Sequence, residues 1–421
     1  MKVVHINKTD SGSGAAVAAM RLHRSLLRVG VESAFLSQET MRHEENQYVV
    51  AEGMRARIEN FRNYMEERIT IYLNENEHDL HSNFSLGTTG RDISNLDIVK
   101  NADIIHLHWI NEGFVSLDGL EKLFALGKPI VWTLHDMWPF TGGCHYAGSC
   151  LEFNEHCGFC PFMRKASKSD LSAITFLRKK QLFRRANISV VACSHWLSSM
   201  AKSSFLFSHV PVITIPNPID TDFYAPMDKD ECRRELGLPL DKKLLLFGAA
   251  NINDVRKGMR YLNESLSILH DSFPKLSENI ELVVFGNDKH VSEKTFLFKT
   301  HLMKFISQPL KLVKMYNAAD AFILPSLQDN LPNTVVESMS CGTPVVGFST
   351  GGVPEMIKHN ETGFLSEAKN SLSLADGIYN ILFFSNKDTR NKVRQSAIAQ
   401  FAESRVANMY INVYERALRG Y

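Results

Sequence analysis

Asp329 and Glu337 lie eight positions apart in the run Pro325-Ser326-Leu327-Gln328-Asp329-Asn330-Leu331-Pro332-Asn333-Thr334-Val335-Val336-Glu337, and Cys341-Gly342-Thr343-Pro344-Val345-Val346 follows. Two acids at that spacing alone describe a solvated helix face as readily as a site, so the neighbours decide. Ala321 to Leu324 is apolar and suits a buried parallel strand. The pattern predicts a loop carrying Asp329, then a helix that starts near Pro332 to Asn333 and carries Glu337 about one turn inside. The first amides of such a helix lack intrahelical partners and attract anions. Asn330, Leu331, Asn333 and Thr334 flank that helix start, between the two acids. Carboxylates that accept from hydroxyls, beside N–H groups that donate to phosphate, suit a nucleotide sugar.

Two cations have a similar setting. Arg256-Lys257-Gly258 follows the strand candidate Leu244 to Gly248 after a polar loop, Asn251 to Asp254. Ligands of open α/β sheets bind at the carboxyl ends of strands. Lys257 and Arg256 there would neutralise a leaving diphosphate, which Arg can also grip through two parallel hydrogen bonds. A basic turn exposed to solvent is the plain alternative. His106-Leu107-His108-Trp109 ends one strand candidate and His135-Asp136 ends the next. Asp136 is placed to orient His135 or set its tautomer, although any single histidine at a strand end is more often structural.

The elements that must carry these residues alternate along the chain. Val3 to Ile6 reads as a strand, Asp10-Ser11-Gly12-Ser13-Gly14 as a glycine turn, and Ala15 to Leu27 as a helix, a nucleotide-type βα unit. Asp103 to Leu107, Pro129 to Leu134 and Ser189 to Ala192 are further strands, and the alternation implies a parallel sheet covered on both sides. A second α/β unit runs from Leu244 through Leu282 to Gly286 and the acid-bearing run. Gly351-Gly352-Val353-Pro354-Glu355 makes a turn after a strand ending near Phe348, where glycine permits close backbone approach or φ > 0. Residues from about Ser371 to Tyr421 are helical in pattern.

Over nearly its whole length the chain resembles the retaining family 4 glycosyltransferases of GT-B fold, most closely between Ala318 and Glu355. Their signature is Glu, seven residues, Glu, then a Cys-Gly-x-Pro-Val-Val segment. Asp329 stands where the family usually has its first Glu, one methylene shorter, and Glu337 matches the second, which the resemblance implies binds the donor ribose. Ile215-Pro216-Asn217-Pro218-Ile219-Asp220-Thr221-Asp222-Phe223 matches the interdomain segment, Lys257-Gly258 the family's Lys-Gly, and Gly351-Gly352-Val353-Pro354-Glu355 a loop that borders the nucleotide. The family's Arg usually lies five residues before the Lys; this chain has Ile252 there, so Arg256 is the candidate to take over its role.

The resemblance implies an α/β fold of two Rossmann-like domains facing a cleft. Residues 1–215 would form the acceptor-side domain, with a Cys-rich insertion at 144–161. Residues 216–400 would form the nucleotide-sugar domain, and 401–421 a helix crossing back to the first. It implies catalytic roles for Arg256, Lys257, His108, His135 and Asp329. Donor contacts are expected from Gly12, Gly14, Arg256, Lys257, Asp329, Asn330, Leu331, Asn333, Thr334 and Glu337. Same-face attack through a short-lived oxocarbenium ion, without a catalytic metal, is the implied chemistry. The partners are a nucleotide-diphosphate sugar and a glycan or lipid-linked acceptor. An epimerase of the same fold and a non-catalytic nucleotide-binding partner in a polysaccharide assembly complex are the rival readings.

Cys144, Cys150, Cys157 and Cys160 fall within 17 residues, the last two spaced C-x-x-C. In a reducing compartment this favours a structural zinc held by all four thiolates, with unligated thiols as the alternative. Residues 164–185 hold eight Lys or Arg and one acid, with Leu171, Ile174, Leu177 and Leu182 spaced for one helical face. Such a helix could rest on an anionic membrane, gaining about 1 kcal/mol per cation, or pack on its own domain under solvent. The Asp-x-Asp strings Asp220/Asp222 and Asp228/Asp230 follow no strand at a nucleotide site and read as chance.

Composition excludes other classes. With 421 residues, 44% hydrophobic and 22% charged, the chain suits two globular domains. A net charge of +1 supplies no field to recruit nucleic acid. No apolar run reaches the ~18 residues of a membrane span, and Met1 to Asn7 is too short and polar for a signal peptide core. A cytoplasmic protein, peripheral at most on the inner membrane face, is expected.

Overall fold

The computed structural model describes residues 1–40, 44–76, 84–184, 186–287, 292, 295–304, 306 and 308–420. Arg185 and Tyr421, within segments considered above, lie outside them. Two compact units emerge: Met1–Pro216 together with Ser404–Tyr421, and Asn217–Glu403.

Unit 1 is built on seven parallel strands: β1 (Lys2–Thr9), β2 (Glu32–Glu39), β3 (Gln47–Val49), β4 (Ile104–Leu107), β5 (Ile130–Leu134), β6 (Ile188–Ala192) and β7 (Val212–Thr214). Their order is β3-β2-β1-β4-β5-β6-β7, and the order reverses between β1 and β4. Each central strand is buried on both faces, which explains the continuous apolar runs. Side chains alternate along each strand. Val4 and Ile6 therefore face the core that holds Trp132 and Phe114, while Val3 shares the opposite face with Ile104 and Val131. The latter face is covered by Val406, Ala407, Tyr410, Val413 and Tyr414 of helix Glu403–Arg419. Polar bonds fix that docking: Tyr414 Oη lies 2.7 Å from His106 Nδ1 and Tyr410 Oη 2.9 Å from Thr133 Oγ1.

Unit 2 repeats the plan with β8 (Lys243–Asn251), β9 (Ile280–Asn287), β10 (Thr300–Leu302), β11 (Ala321–Leu324), β12 (Val345–Phe348) and β13 (Gly363–Ser366), in the order β10-β9-β8-β11-β12-β13. Both sheets are wholly parallel among the described residues, so each crossover must carry its chain back over a face. Every strand read from the sequence is present; β1, β6, β8 and β9 run longer than read, β11 matches, and β4 and β5 start one residue later. The helical tail is three helices, Ser371–Phe384, Lys387–Phe401 and Glu403–Arg419.

Two helices of unit 1 bury polar side chains. Gly53–Asn74 turns Asn60, Asn63, Glu67 and Arg68 inward and leaves Met54, Ile58, Phe61, Ile69 and Leu73 exposed. An inverted pattern of this kind defeats periodicity arguments, which assume that the apolar stripe faces the core. The basic segment is helical only over Leu171–Phe183, with Asp170 as its N-cap. Its packing face is Ala173, Thr175, Phe176, Lys179 and Phe183; of the expected row, Leu171 and Leu182 are half-buried against the core and Ile174 and Leu177 point outward. Lys179, counted among the surface cations, is fully buried.

The Tyr414 hydroxyl ties the last helix to the middle of the first sheet. Tyr414→Phe keeps the ring and deletes one buried hydrogen bond, so we expect a loss of about 1–2 kcal/mol, read as a lower urea midpoint with unchanged circular dichroism.

Candidate functional site

Three loops meet at the carboxyl ends of β8, β11 and β12, and glycines set their spacing. Gly258 has φ +71°, and a Cβ there would lie 1.9 Å from the carbonyl oxygen of Pro325. Gly351 has φ +55°, and a Cβ would lie 1.8 Å from the carbonyl oxygen of Asp329. No other residue allows both approaches. Hydrogen bonds close the contacts: Leu327 N–H donates to Arg256 O at 2.7 Å, Thr350 Oγ1 to Ser326 O at 2.9 Å, and Gly352 N–H to Asp329 O at 3.1 Å.

This spacing brings Lys257 Nζ to 2.7 Å from Asp329 Oδ2, an ion pair whose side chains are 25% and 12% exposed. Partial burial limits screening, so each charge keeps its reach toward a third group. Arg256 is turned to Asp254 at 2.7 Å instead. Helix Asn333–Ser340 begins four residues after Asp329, with Pro332 at its N-cap and no side chain capping it. Glu337 is buried inside that helix, and Tyr316 Oη donates to its Oε2 at 2.8 Å. Burial and the adjacent Glu337 carboxylate push the Tyr316 phenol up, keeping it a donor. Lys257, Asp329, Asn330, Leu331, Asn333, Thr334 and Glu337 thus share one end of unit 2. Ile252, at the position of the absent upstream cation, is fully buried.

In unit 1 the histidines form a chain, buried at His5, His106 and His108 and half-buried at His135. His5 Nδ1 lies 3.0 Å from His108 Nε2, and His108 Nδ1 lies 3.1 Å from His135 Nε2. Register places His5 beside His106 across β1 and β4, and His106 Nε2 meets Thr133 Oγ1 at 2.7 Å. Burial lowers the pKa of His5, His106 and His108, reinforced by neighbouring imidazoles, and takes His135 to about 4. All four are therefore neutral, each donating from one ring nitrogen at most.

The expected pairing of Asp136 with His135 does not form. Asp136 Oδ2 lies 2.5 Å from His145 Nδ1 and accepts from Trp109 Nε1, while Trp138 N–H donates to Oδ1. Burial raises the Asp136 pKa, but His145 and these donors outweigh it and hold the carboxyl below its usual range.

Gly12 (φ +84°) turns the chain after β1, and Ser13 caps the helix that starts at Gly14 by accepting from Ala16 N–H at 3.2 Å. The four clustered cysteines line one small cavity in unit 1. Both Asp-x-Asp strings have local duties: Asp220 accepts from the N–H groups of Asp222 and Phe223, and Asp228 caps helix Lys229–Leu236. Sequence reasoning missed His5, Tyr316 and Lys179. Only His5 left a trace, as a polar residue alternating with Val3 in an apolar strand.

Comparison with known proteins gives two family matches, Glycosyltransferase Family 4 over residues 12–223 and Glycosyl transferases group 1 over residues 228–400. A putative colanic acid biosynthesis glycosyl transferase of Escherichia coli K12 is 23% identical over 440 aligned positions, covering 99% of this chain and 100% of that protein. An N-acetyl-alpha-D-glucosaminyl L-malate synthase of Bacillus anthracis is 24% identical over 214 residues, 49% of this chain and about half (54%) of that relative. Among solved structures, Anabaena HepE in complex with UDP-glucose superposes with a TM-score of 0.63 at 14% identity over 99% of both chains. That likeness establishes a shared GT-B fold.

Two outcomes follow from this geometry. Gly351→Ala places a methyl group inside the Asp329 carbonyl, so stability should fall by on the order of 2–4 kcal/mol, read as a lower thermal midpoint; Gly12→Ala, which meets no atom within 4 Å, should cost about 1 kcal/mol from its φ alone. Acid should destabilise unit 1. Each buried histidine remains neutral while the unfolded chain takes up a proton below about pH 6.5. Stability is therefore level above that pH and falls on the way to about pH 4, by up to about 1.4 kcal/mol per pH unit for each histidine. Urea midpoints from pH 8 to pH 4.5 check this, and a flat profile would refute the neutral chain.

Proposed function

We propose a specific transfer on one premise: the chain belongs to glycosyltransferase family 4. It is a glycosyltransferase, and we assign it retaining transfer of a hexose from a nucleotide-diphosphate sugar to a glycan or lipid-linked acceptor in surface polysaccharide synthesis, on the cytoplasmic side of a membrane. The observation that carries the donor assignment is the Lys257–Asp329 pair at 2.7 Å beside a helix start that no side chain caps. A cation, a sugar-accepting carboxylate and a helix start with no capping side chain at one strand end suit a sugar diphosphate. UDP-glucose bound to the Anabaena neighbour and the colanic acid relative support the same donor class and product class.

In this reading Asp329 accepts from sugar hydroxyls and Glu337, steadied by Tyr316, from the ribose. Lys257, Arg256 and the first amides of helix Asn333–Ser340 stabilise the departing diphosphate. Asn330, Leu331, Asn333 and Thr334 line its path. The bond from the anomeric carbon to the diphosphate oxygen breaks, and a bond to the acceptor hydroxyl forms on the same face. The acceptor's proton leaves with the diphosphate. On unit 1, the Gly12 to Gly14 turn, His108 and His135 are our candidates for contacts to donor phosphate or acceptor.

No described helix is long and apolar enough to cross a membrane. Peripheral attachment to an anionic surface is supported instead by outward Ile174 and Leu177 beside Arg178, and by outward Met54, Ile58 and Phe61 beside Arg55, Arg57 and Arg62.

A screen of nucleotide sugars for nucleoside diphosphate release, with and without lipid extract, tests the assignment; acceptor-independent release of free sugar would favour an epimerase. Lys257→Ala should raise the barrier by about 3 kcal/mol, near a hundredfold in kcat, and the same substitution at Arg256 decides whether it replaces the cation absent at Ile252. Glu337→Gln should weaken nucleoside diphosphate binding by calorimetry while folding is retained; unchanged affinity would remove Glu337 from the ribose.

A further inference from the structure

We propose that Cys144, Cys150, Cys157 and Cys160 of unit 1 together bind one structural zinc ion. All four line a single cavity of about 20 Å³, whose other walls include Phe84, Phe153 and Phe162. That is room for one small occupant. A water there would meet few polar partners, whereas a thiophilic cation meets four sulfurs. No disulfide joins any pair, and only Cys150 is more than marginally exposed.

The backbone is shaped to bring the thiols together. A Cβ on Gly142 would lie 2.8 Å from Cys157 Cβ and 2.5 Å from Ser172 O, so only glycine lets the loop before Cys144 pack against Cys157. Gly142 N–H then donates to Cys157 Sγ at 3.2 Å, as suits a sulfur that carries charge. The C-x-x-C turn is held in an unusual form. Phe159 adopts φ +47° with its ring 59% exposed, so burial of that ring does not explain the turn. Cys160 N–H is fastened to Asp170 Oδ2 at 2.9 Å, at the cap of helix Leu171–Phe183.

Charge supplies an independent argument. Lys179 is fully buried, with its ammonium held by the carbonyls of Trp138 and Thr141 and lying 3.6 Å from the Trp138 ring centroid. Among the described residues no carboxylate lies within ion-pair distance of it. A buried cation partnered only by carbonyls is costly. Burial lowers its pKa to about 7, and Cys144 and Cys157 lie close enough to oppose that shift when ionised. Four thiolates around one Zn²⁺ carry a net charge of −2 and give this lysine its counter-charge. Four sulfur ligands also close the shell, leaving no position for catalysis.

The rival ligand set is His5, His106 and His108, the only group among the described residues whose ligand atoms lie within 4.8 Å of one another. Both nitrogens of His106 and of His108 are already committed to hydroxyls or imidazoles. No three of the four sulfurs lie within 4.8 Å of one another, against the roughly 3.8 Å edge of a tetrahedron with Zn–S near 2.3 Å, so binding requires them to move inward.

Untagged protein purified without a nickel column should contain roughly one zinc per chain, released when a mercurial titrates the thiols. Cobalt exchanged into it should give the charge-transfer absorption of a tetrahedral tetrathiolate site. Zinc should drop to a tenth or less in Cys157→Ser/Cys160→Ser and fall in Cys150→Ser; if those variants do not fold, the zinc content and cobalt spectrum of the unaltered chain decide. Zinc-free protein from zinc-replete cells that takes up no cobalt after reduction overturns the proposal. Metal retained by the double variant and lost in His5→Ala overturns it in favour of the histidines.

Discussion

Backbone contact without side chains governs the candidate site. Where Gly258 meets the Pro325 carbonyl and Gly351 meets that of Asp329, a Cβ would sit within 2 Å of oxygen. Glycine at both points lets the loops after β8, β11 and β12 close on one another. Only then does Lys257 reach Asp329, and only then does the start of helix Asn333–Ser340 stand beside them. The parallel sheet delivers all three loops to the same end, because every strand in it points the same way. Charge, helix start and glycine contact are therefore one feature described three ways.

Unit 1 obeys a different constraint. Its sheet face carries polar side chains where a core would ordinarily be apolar, and each must find a partner. His5, His108 and His135 bond to one another in a chain that leaves His5 Nε2 without a partner, while His106 is satisfied by Thr133 and by Tyr414 from the far end of the chain. The unit therefore needs its last helix for hydrogen bonding as well as for the apolar cover of Val406, Tyr410 and Val413. Neutral imidazoles are the condition for this packing, which links the fold of unit 1 to pH.

The basic segment after the cysteines illustrates how burial rewrites a charge pattern. Its cations suggested a surface helix, yet Lys179 is drawn under Trp138 and the chain's apolar Ile174 and Leu177 are left outside. Helix Gly53–Asn74 does the same on a larger scale: Glu67 accepts from the N–H groups of Leu86 and Gly87, and Arg68 donates to Phe84 O, so polar groups occupy the inward face. Periodicity reports which residues share a face of a helix, but not which way that face points.

The sequence by itself determined the two parallel sheets, their central strands and the family, because buried parallel strands leave continuous apolar runs and the Pro325 to Val346 string is specific; β2, β3, β7, β10 and β13, mostly short or at sheet edges, left no such run. It also singled out Asp329, Glu337, Lys257 and the four cysteines, whose spacing is local. Tertiary structure alone decided the partners. Asp136 bonds to His145 and not to its neighbour His135, His5 joins His108 across more than a hundred residues, and Tyr414 closes a bond to His106 from the last helix. Lys179 lies buried near Cys144 and Cys157. Each of these depends on which strands lie side by side, and strand order is a property of the folded sheet that no window of sequence contains.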